Sequence, residues 1–176
     1  MLTPLHLKYF LLFILSVRCA VGEEKWYDAS DGSRYLVVNE NNYNWFEAFT
    51  ACASRGLTMV SITSEEKQNA LVEVLKKTGQ LYYWIGSLGT YSTDGGLVFR
   101  WTGDGSEFDY TNWGPNEPDG KGRENCVHID RFNYRWNDND CRTHKNPLIC
   151  EENPRVTKMK NYISSLESFL ETLDEF

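Results

Sequence analysis

The chain has 176 residues and a formal net charge of −7, from 18 Lys and Arg against 25 Asp and Glu. That length suits one domain with a short appendage and excludes two full domains. A hydrophobic content of 41% excludes disorder throughout, and an acidic chain without a basic run is a poor match to nucleic acid, whose phosphates require Lys and Arg.

The first element is an apolar run, Tyr9 to Val17, preceded by Lys8. It is too short to span a bilayer and fits the core of a secretory leader better than a buried N-terminal strand or helix. The small residues Ala20-Val21-Gly22 fit a cleavage rule, so residues 1–22 read as a signal peptide. Cleavage after Gly22 removes Lys8, Arg18 and Cys19, which takes the net charge from −7 to −9 and the Cys count from five to four. No later stretch approaches a spanning length, so the product is expected to be secreted and extracellular, with no membrane insertion. Export makes two disulfides the default among Cys52, Cys126, Cys141 and Cys150, with three pairings open. There is no Asn-x-Ser/Thr sequon.

Trp26-Tyr27 and Arg34 to Val38 read as strands around the turn Ser30-Asp31-Gly32-Ser33. A helix is predicted from about Asn44 to Ser54, with Trp45, Ala48, Phe49 and Cys52 at helical spacing and Gly56 to end it. A second starts at Thr63, where Thr63 and Glu66 are placed to form a capping box, and stops at Gly79. Its apolar face is Ala70, Leu71, Val74 and Leu75. Tyr82 to Gly86, Val98 to Trp101, His128 to Asp130 and Asn146 to Cys150 read as strands. Residues 102–125 follow no helix or strand pattern, and a loop of that length points to function or to a bound stabiliser. The fold class is α+β: two helices packed beside antiparallel sheet, with one long loop region.

That loop holds Glu117-Pro118-Asp119 and Glu124-Asn125-Cys126, and Trp136-Asn137-Asp138 follows before Cys141. Hard oxygen ligands are concentrated in these two segments, and Ca²⁺ takes six to eight of them. Acidic side chains flanking a cis Pro118 could point the same way. A solvated acidic loop is the plain alternative, since Asp, Asn and Gly are ordinary turn residues.

Over roughly Trp26 to Glu152 the chain resembles a C-type lectin domain. The resemblance is carried by an ordered set: Trp45, Ala48 and Cys52; Leu57 to Ile62 leading into Ser64-Glu65-Glu66; Trp84-Ile85-Gly86; Asn112-Trp113; Glu117-Pro118-Asp119; Glu124-Asn125-Cys126; Trp136-Asn137-Asp138-x-x-Cys141; and Ile149-Cys150-Glu151. With no additional N-terminal Cys pair it looks like the short form. The resemblance implies residues 23–153 as the domain, disulfides Cys52–Cys150 and Cys126–Cys141, and a cis Pro118. It implies one Ca²⁺ held by Glu117, Asp119, Glu124, Asn137 and Asp138. Two vicinal sugar hydroxyls would complete the metal shell and bond to Glu117, Asp119, Glu124 and Asn137. A second Ca²⁺ site would fall around Asp94 and Asn125.

The departure is at position 119. Mannose-type members carry Glu-Pro-Asn and galactose-type members Gln-Pro-Asp, whereas this chain has the hybrid Glu117-Pro118-Asp119. A hydroxyl donates one proton, and two ionised carboxylates only accept, so Asn137 or Asn125 must supply the missing donor. Asp119 leans the reading to galactose; Glu117 leans it back to mannose or fucose. No aromatic follows in Gly120-Lys121-Gly122-Arg123, which leaves Phe132 and Tyr134 to stack on a sugar face or to pack inside.

After the domain, Val156, Met159, Ile163, Leu166, Leu170 and Leu173 recur at heptad spacing, widened by Tyr162, Phe169 and Phe176. Residues 154–176 are expected to form an amphipathic helix. A lone helix of this length is marginal in water, so its stripe should pack on its own domain, or the segment stay partly disordered, or the stripe meet a second copy, giving a homo-oligomer. Arg155, Lys158 and Lys160 lie early; Glu167, Glu171, Asp174 and Glu175 lie late.

The leading expectation is a secreted Ca²⁺-dependent lectin for galactose-type, or else mannose- or fucose-type, glycans on microbial or host surfaces. Its setting would be innate immune recognition or agglutination. The alternative is a Ca²⁺-independent protein-binding domain on the same fold. Catalysis is not expected: the mature chain keeps His128 and His144, and neither belongs to a nucleophile or zinc pattern.

Overall fold

The computed structural model describes residues 24–174; the predicted signal peptide lies outside them. Eight strands form one sheet: β1 (Glu24–Asp28), β2 (Arg34–Tyr43), β3 (Leu57–Met59), β4 (Tyr82–Tyr91), β5 (Leu97–Trp101), β6 (Cys126–Asp130), β7 (Trp136–Asn139) and β8 (Asn146–Glu152). Among the described residues three helices accompany them: α1 (Trp45–Ala53), α2 (Glu65–Leu75) and α3 (Pro154–Asp174). The sheet order is β1-β2-β8-β4-β6-β7, with β3 on β8 and β5 on β4. Pairing is antiparallel except between β4 and β8, which run parallel at Trp84 and Leu148. The sheet is therefore mixed at its centre, within the α+β class.

Strand period explains how the core divides. Tyr35 and Val37 face one side of β2, and Leu36 and Val38 the other, yet all four are buried. Each face is covered by its own helix. On one side Leu71, Val74 and Leu75 of α2 pack with Tyr83, Ile85 and Ile149. On the other, Trp45, Ala48 and Cys52 of α1 pack with Met59, Trp84 and Leu148. Disulfides join Cys52 to Cys150, tying α1 to β8, and Cys126 to Cys141, closing a 15-residue span across β6 and β7. In the chain-entropy argument a loop of that size stabilises by roughly 3 kcal/mol.

The capping box belongs to α1. Asn44 Oδ1 accepts from the Glu47 amide at 2.9 Å, and Glu47 Oε2 accepts from the Asn44 amide at 2.7 Å. The expected box at Thr63 and Glu66 is absent. Ser64 is the N-cap of α2 instead, with extended backbone and its hydroxyl accepting from the Lys67 amide at 3.1 Å. The register moved by one because two hydroxyl residues stand side by side, and either satisfies an end amide. Helix α2 also ends at Leu75, before Gly79.

Helix α3 opens with Pro154 in its first turn, where a missing N–H costs nothing. No helix among the described residues is long and apolar enough to cross a membrane.

Candidate functional site

The site rests on two segments with different means of support. Strand β7 pairs with β6 and presents its residues alternately: Trp136 and Asp138 are buried, Asn137 half-buried. Trp136 is fixed by its indole N–H, which donates to Gln68 Oε1 at 2.9 Å; Gln68 in turn donates to the Tyr134 carbonyl at 2.9 Å. One buried amide of α2 thus positions the segment that carries Asn137 and Asp138.

The long loop is held mainly by aromatic packing. Phe108 lies 4.4 Å from Trp101 and Trp113 lies 5.0 Å from Phe99, ring centre to ring centre, with Trp136 edge-on to Trp101, Phe108 and Trp113. Backbone bonds add to this, the Trp136 amide donating to the Asn112 carbonyl and the Gly114 amide to the Trp136 carbonyl. The loop therefore docks on the strand that holds the other half of the site. At its tip Asn116 adopts positive φ, a conformation Asn tolerates better than most residues, and the Glu117–Pro118 peptide is cis.

Three of the five expected ligands converge. Oxygens of Glu117, Asp119 and Asp138 lie within 4.8 Å of one another. Asp138 is 1% exposed, and its two oxygens accept the backbone amides of Asp119 at 3.0 Å and Gly120 at 3.1 Å. Asn137 meets the cluster by donating to Glu117 Oε1 at 2.5 Å. Glu124 stands outside it. Its side chain lies against Gly120, so closely that a Cβ on that glycine would sit 2.2 Å from the Glu124 Cβ. Its carboxyl is nonetheless raised above the usual range, by burial first and then by the Asp138 and Asp119 charges.

Electrostatics single out Glu117. Burial, the adjacent Asp138 carboxyl and the Asp119 charge push it up to about 7. Its Oε2 is buried with no hydrogen-bond partner, as is Asn125 Oδ1. An acceptor oxygen buried among carboxylates without a donor is an arrangement that a cation satisfies. The residues therefore fit a hard divalent ion.

Other expected positions fall elsewhere. Asp94 is turned into its own β4–β5 turn, accepting from the Ser92 hydroxyl and the Gly96 amide. It shares no acidic cluster among the described residues. Phe132 is 75% exposed in the turn after β6, while Tyr134 packs against the core at positive φ. A hollow of about 140 Å³ beside Glu117 is lined by Gly114, Asp130, Asn133, Arg135 and Asn137. Tyr91 is the residue that sequence reading passed over. Its hydroxyl abuts Gly122, which has φ +83°, and leaves no room for a Cβ there. No local signal marks that contact, because it joins the end of β4 to a distant loop. His128 is buried edge-on between Tyr82 and Trp84, and burial drops it to about 4, which keeps it neutral.

Comparison with known proteins agrees with this architecture. The family profile described as the Lectin C-type domain matches residues 41–152. Lectin subunit alpha of Sarcophaga peregrina is 35% identical over 159 residues, which is 86% of this chain and 56% of that protein; the chain thus spans little more than half of that relative. The solved SPL-1–GlcNAc complex has a TM-score of 0.59 at 30% identity, over 78% of this chain and 97% of that one. The Ca²⁺-independent C-type lectin SPL-2 from Saxidomus purpuratus gives 0.59 at 29% identity, over 72% and 89%. With a profile match over more than half its length and the same fold in these neighbours, the chain belongs to the C-type lectin family, as a carbohydrate-binding lectin domain and not an enzyme.

Proposed function

We propose that the protein is a secreted, Ca²⁺-dependent lectin, with residues 1–22 as its leader and 23–153 as its lectin domain. Galactose-type glycans on microbial or host surfaces are favoured over mannose- or fucose-type, in a setting of innate recognition or agglutination. The observation that carries the reading is Glu117: its buried Oε2 has no donor, beside the oxygens of Asp119 and Asp138. Glu117, Asp119 and Asp138 would hold the ion, with Glu124 and Asn137 closing on it. Bound Ca²⁺ would supply an oxygen-seeking centre for two vicinal hydroxyls. Sugar selection then falls to hydrogen bonding. Glu117 and Asp119 accept hydroxyl protons. Asn137 gives one amide proton to Glu117 and keeps a second for a hydroxyl oxygen. Nothing here activates water, so the sugar is bound and released unchanged.

The alternative is a Ca²⁺-independent protein-binding domain. The likeness to the Ca²⁺-independent lectin SPL-2 favours the Ca²⁺ independence in that reading, as does Asp138, whose amide bonds organise the loop without a metal. A glycan array run with Ca²⁺ and with chelator separates the two. Binding to galactose-bearing glycans that chelator abolishes is expected; unchanged binding in chelator overturns the metal mechanism. Asp119→Asn should shift preference towards mannose, and an unchanged array would overturn the donor argument.

A further inference from the structure

Helix α3 is an unpartnered apolar surface. Every side chain from Lys158 to Thr172 is exposed, and Val156, Met159, Tyr162, Ile163, Leu166, Phe169 and Leu170 are 44–61% exposed. The helix does not lie down on its own domain. Its attachment is local, through Arg155 to the Asp104 carbonyl and Thr157 to Glu152 and Asn153. A stripe of this kind in water has the character of half an interface.

The charges argue for what covers it. Basic residues at the start of a helix and acidic ones at its end oppose the macrodipole, so this order is unfavourable in an isolated helix. Among the described residues Lys158, Lys160, Glu167 and Glu171 form no ion pair within the chain. Both facts make sense if the charges are matched between chains.

We propose that α3 pairs with α3 of a second copy of this chain in an antiparallel two-helix coil. In heptad terms Val156, Ile163 and Leu170 occupy a, and Met159 and Leu166 occupy d. One antiparallel register pairs a with d: Ile163 with the partner's Leu166 and Leu170 with the partner's Met159, each twice by symmetry. The same register sets Lys160 beside the partner's Glu167, twice by symmetry. It also sets Tyr162 beside the partner's Phe169, twice. Charge disfavours the parallel arrangement, because its flanking contacts would place Arg155 against the partner's Lys160. Like charges there disfavour it.

The geometry has a functional consequence, which rests on the sugar-binding reading. Each domain is attached at the start of its helix, so antiparallel pairing puts the two domains at opposite ends of a rod about 30 Å long. A parallel pair would set both sites side by side for two sugars on one surface. The antiparallel pair instead holds the two domains apart, a spacing suited to cross-linking two surfaces.

Sedimentation equilibrium of the processed, full-length chain without sugar tests the pairing. A dimer mass is expected. Lys160→Glu should weaken the dimer roughly tenfold by placing two acidic groups together, and adding Glu167→Lys should restore it. Both variants should keep the wild-type far-ultraviolet circular dichroism. A monomer mass at tens of micromolar overturns the proposal, as does a monomer that sediments with phosphatidylserine-containing vesicles, which would assign the stripe to a lipid surface. A dimer that tightens on Lys160→Glu overturns the antiparallel register. None of these readouts uses sugar, so failure of the lectin reading leaves this result interpretable.

Discussion

The carboxylate of Asp138 accepts the backbone amide of Asp119 at 3.0 Å, so a residue on β7 fixes the path of the loop opposite it. The Gly120 amide at 3.1 Å makes the clamp two-pronged. Asp138→Ala leaves both amides without their acceptor, the Gly120 amide at a buried position. The loop should loosen, with a loss of about 1–3 kcal/mol in denaturant unfolding measured in chelator. Calorimetry of the same variant should show no Ca²⁺ heat. If Ca²⁺ binding is lost while stability in chelator is unchanged, the clamp has no structural weight.

Gly120 offers a test that leaves every carboxylate in place. A Cβ there would meet the Glu124 Cβ at 2.2 Å and its Oε2 at 2.8 Å, so Gly120→Ala must push the Glu124 side chain away. We expect a folded protein whose Ca²⁺ affinity falls at least tenfold by calorimetry. Wild-type affinity would mean that Glu124 does not close on the ion.

Proton competition gives a third prediction. Glu117 is pushed up to about 7, from an ordinary value near 4.5, so the metal-free fold holds a proton that the unfolded chain has released. Its contribution to stability is present below the unfolded value and is lost as pH rises towards 7. Glu117→Gln should therefore gain on wild type, in chelator, between pH 4.5 and 7. With Ca²⁺ in excess the order should reverse at neutral pH, since wild type alone keeps the ligand. Thermal melts across that range, with and without Ca²⁺, check both arms; parallel curves in chelator would remove Glu117 as the titrating group.

How much of this was legible in the sequence depends on how far each signal travels along the chain. The strand at Arg34 to Val38, the apolar face of α2 and the heptad of α3 announce themselves within a few residues. Strand β3, three residues long, and β7, four mostly polar ones, do not, because they are strands only through their partners β8 and β6. The carboxylates around Pro118 stood out by type and spacing. Their convergence depends on Trp113 and Phe108 packing near Trp136, a contact between segments that no local pattern encodes. The packing of Glu124 against Gly120 and the meeting of Tyr91 with Gly122 are invisible for the same reason.

The aromatic footing of the loop also bears on how this protein could change. Phe108 and Trp113 moor the segment to the sheet, while residues 119–124 neither belong to a strand nor contribute a ring to that footing. Replacing Lys121 or Arg123 within it, which are neither proposed ligands nor residues whose amides Asp138 accepts, would leave the sheet and both core layers untouched. A new sugar preference could be acquired there without first weakening the domain, so selectivity and foldedness are free to evolve on separate accounts.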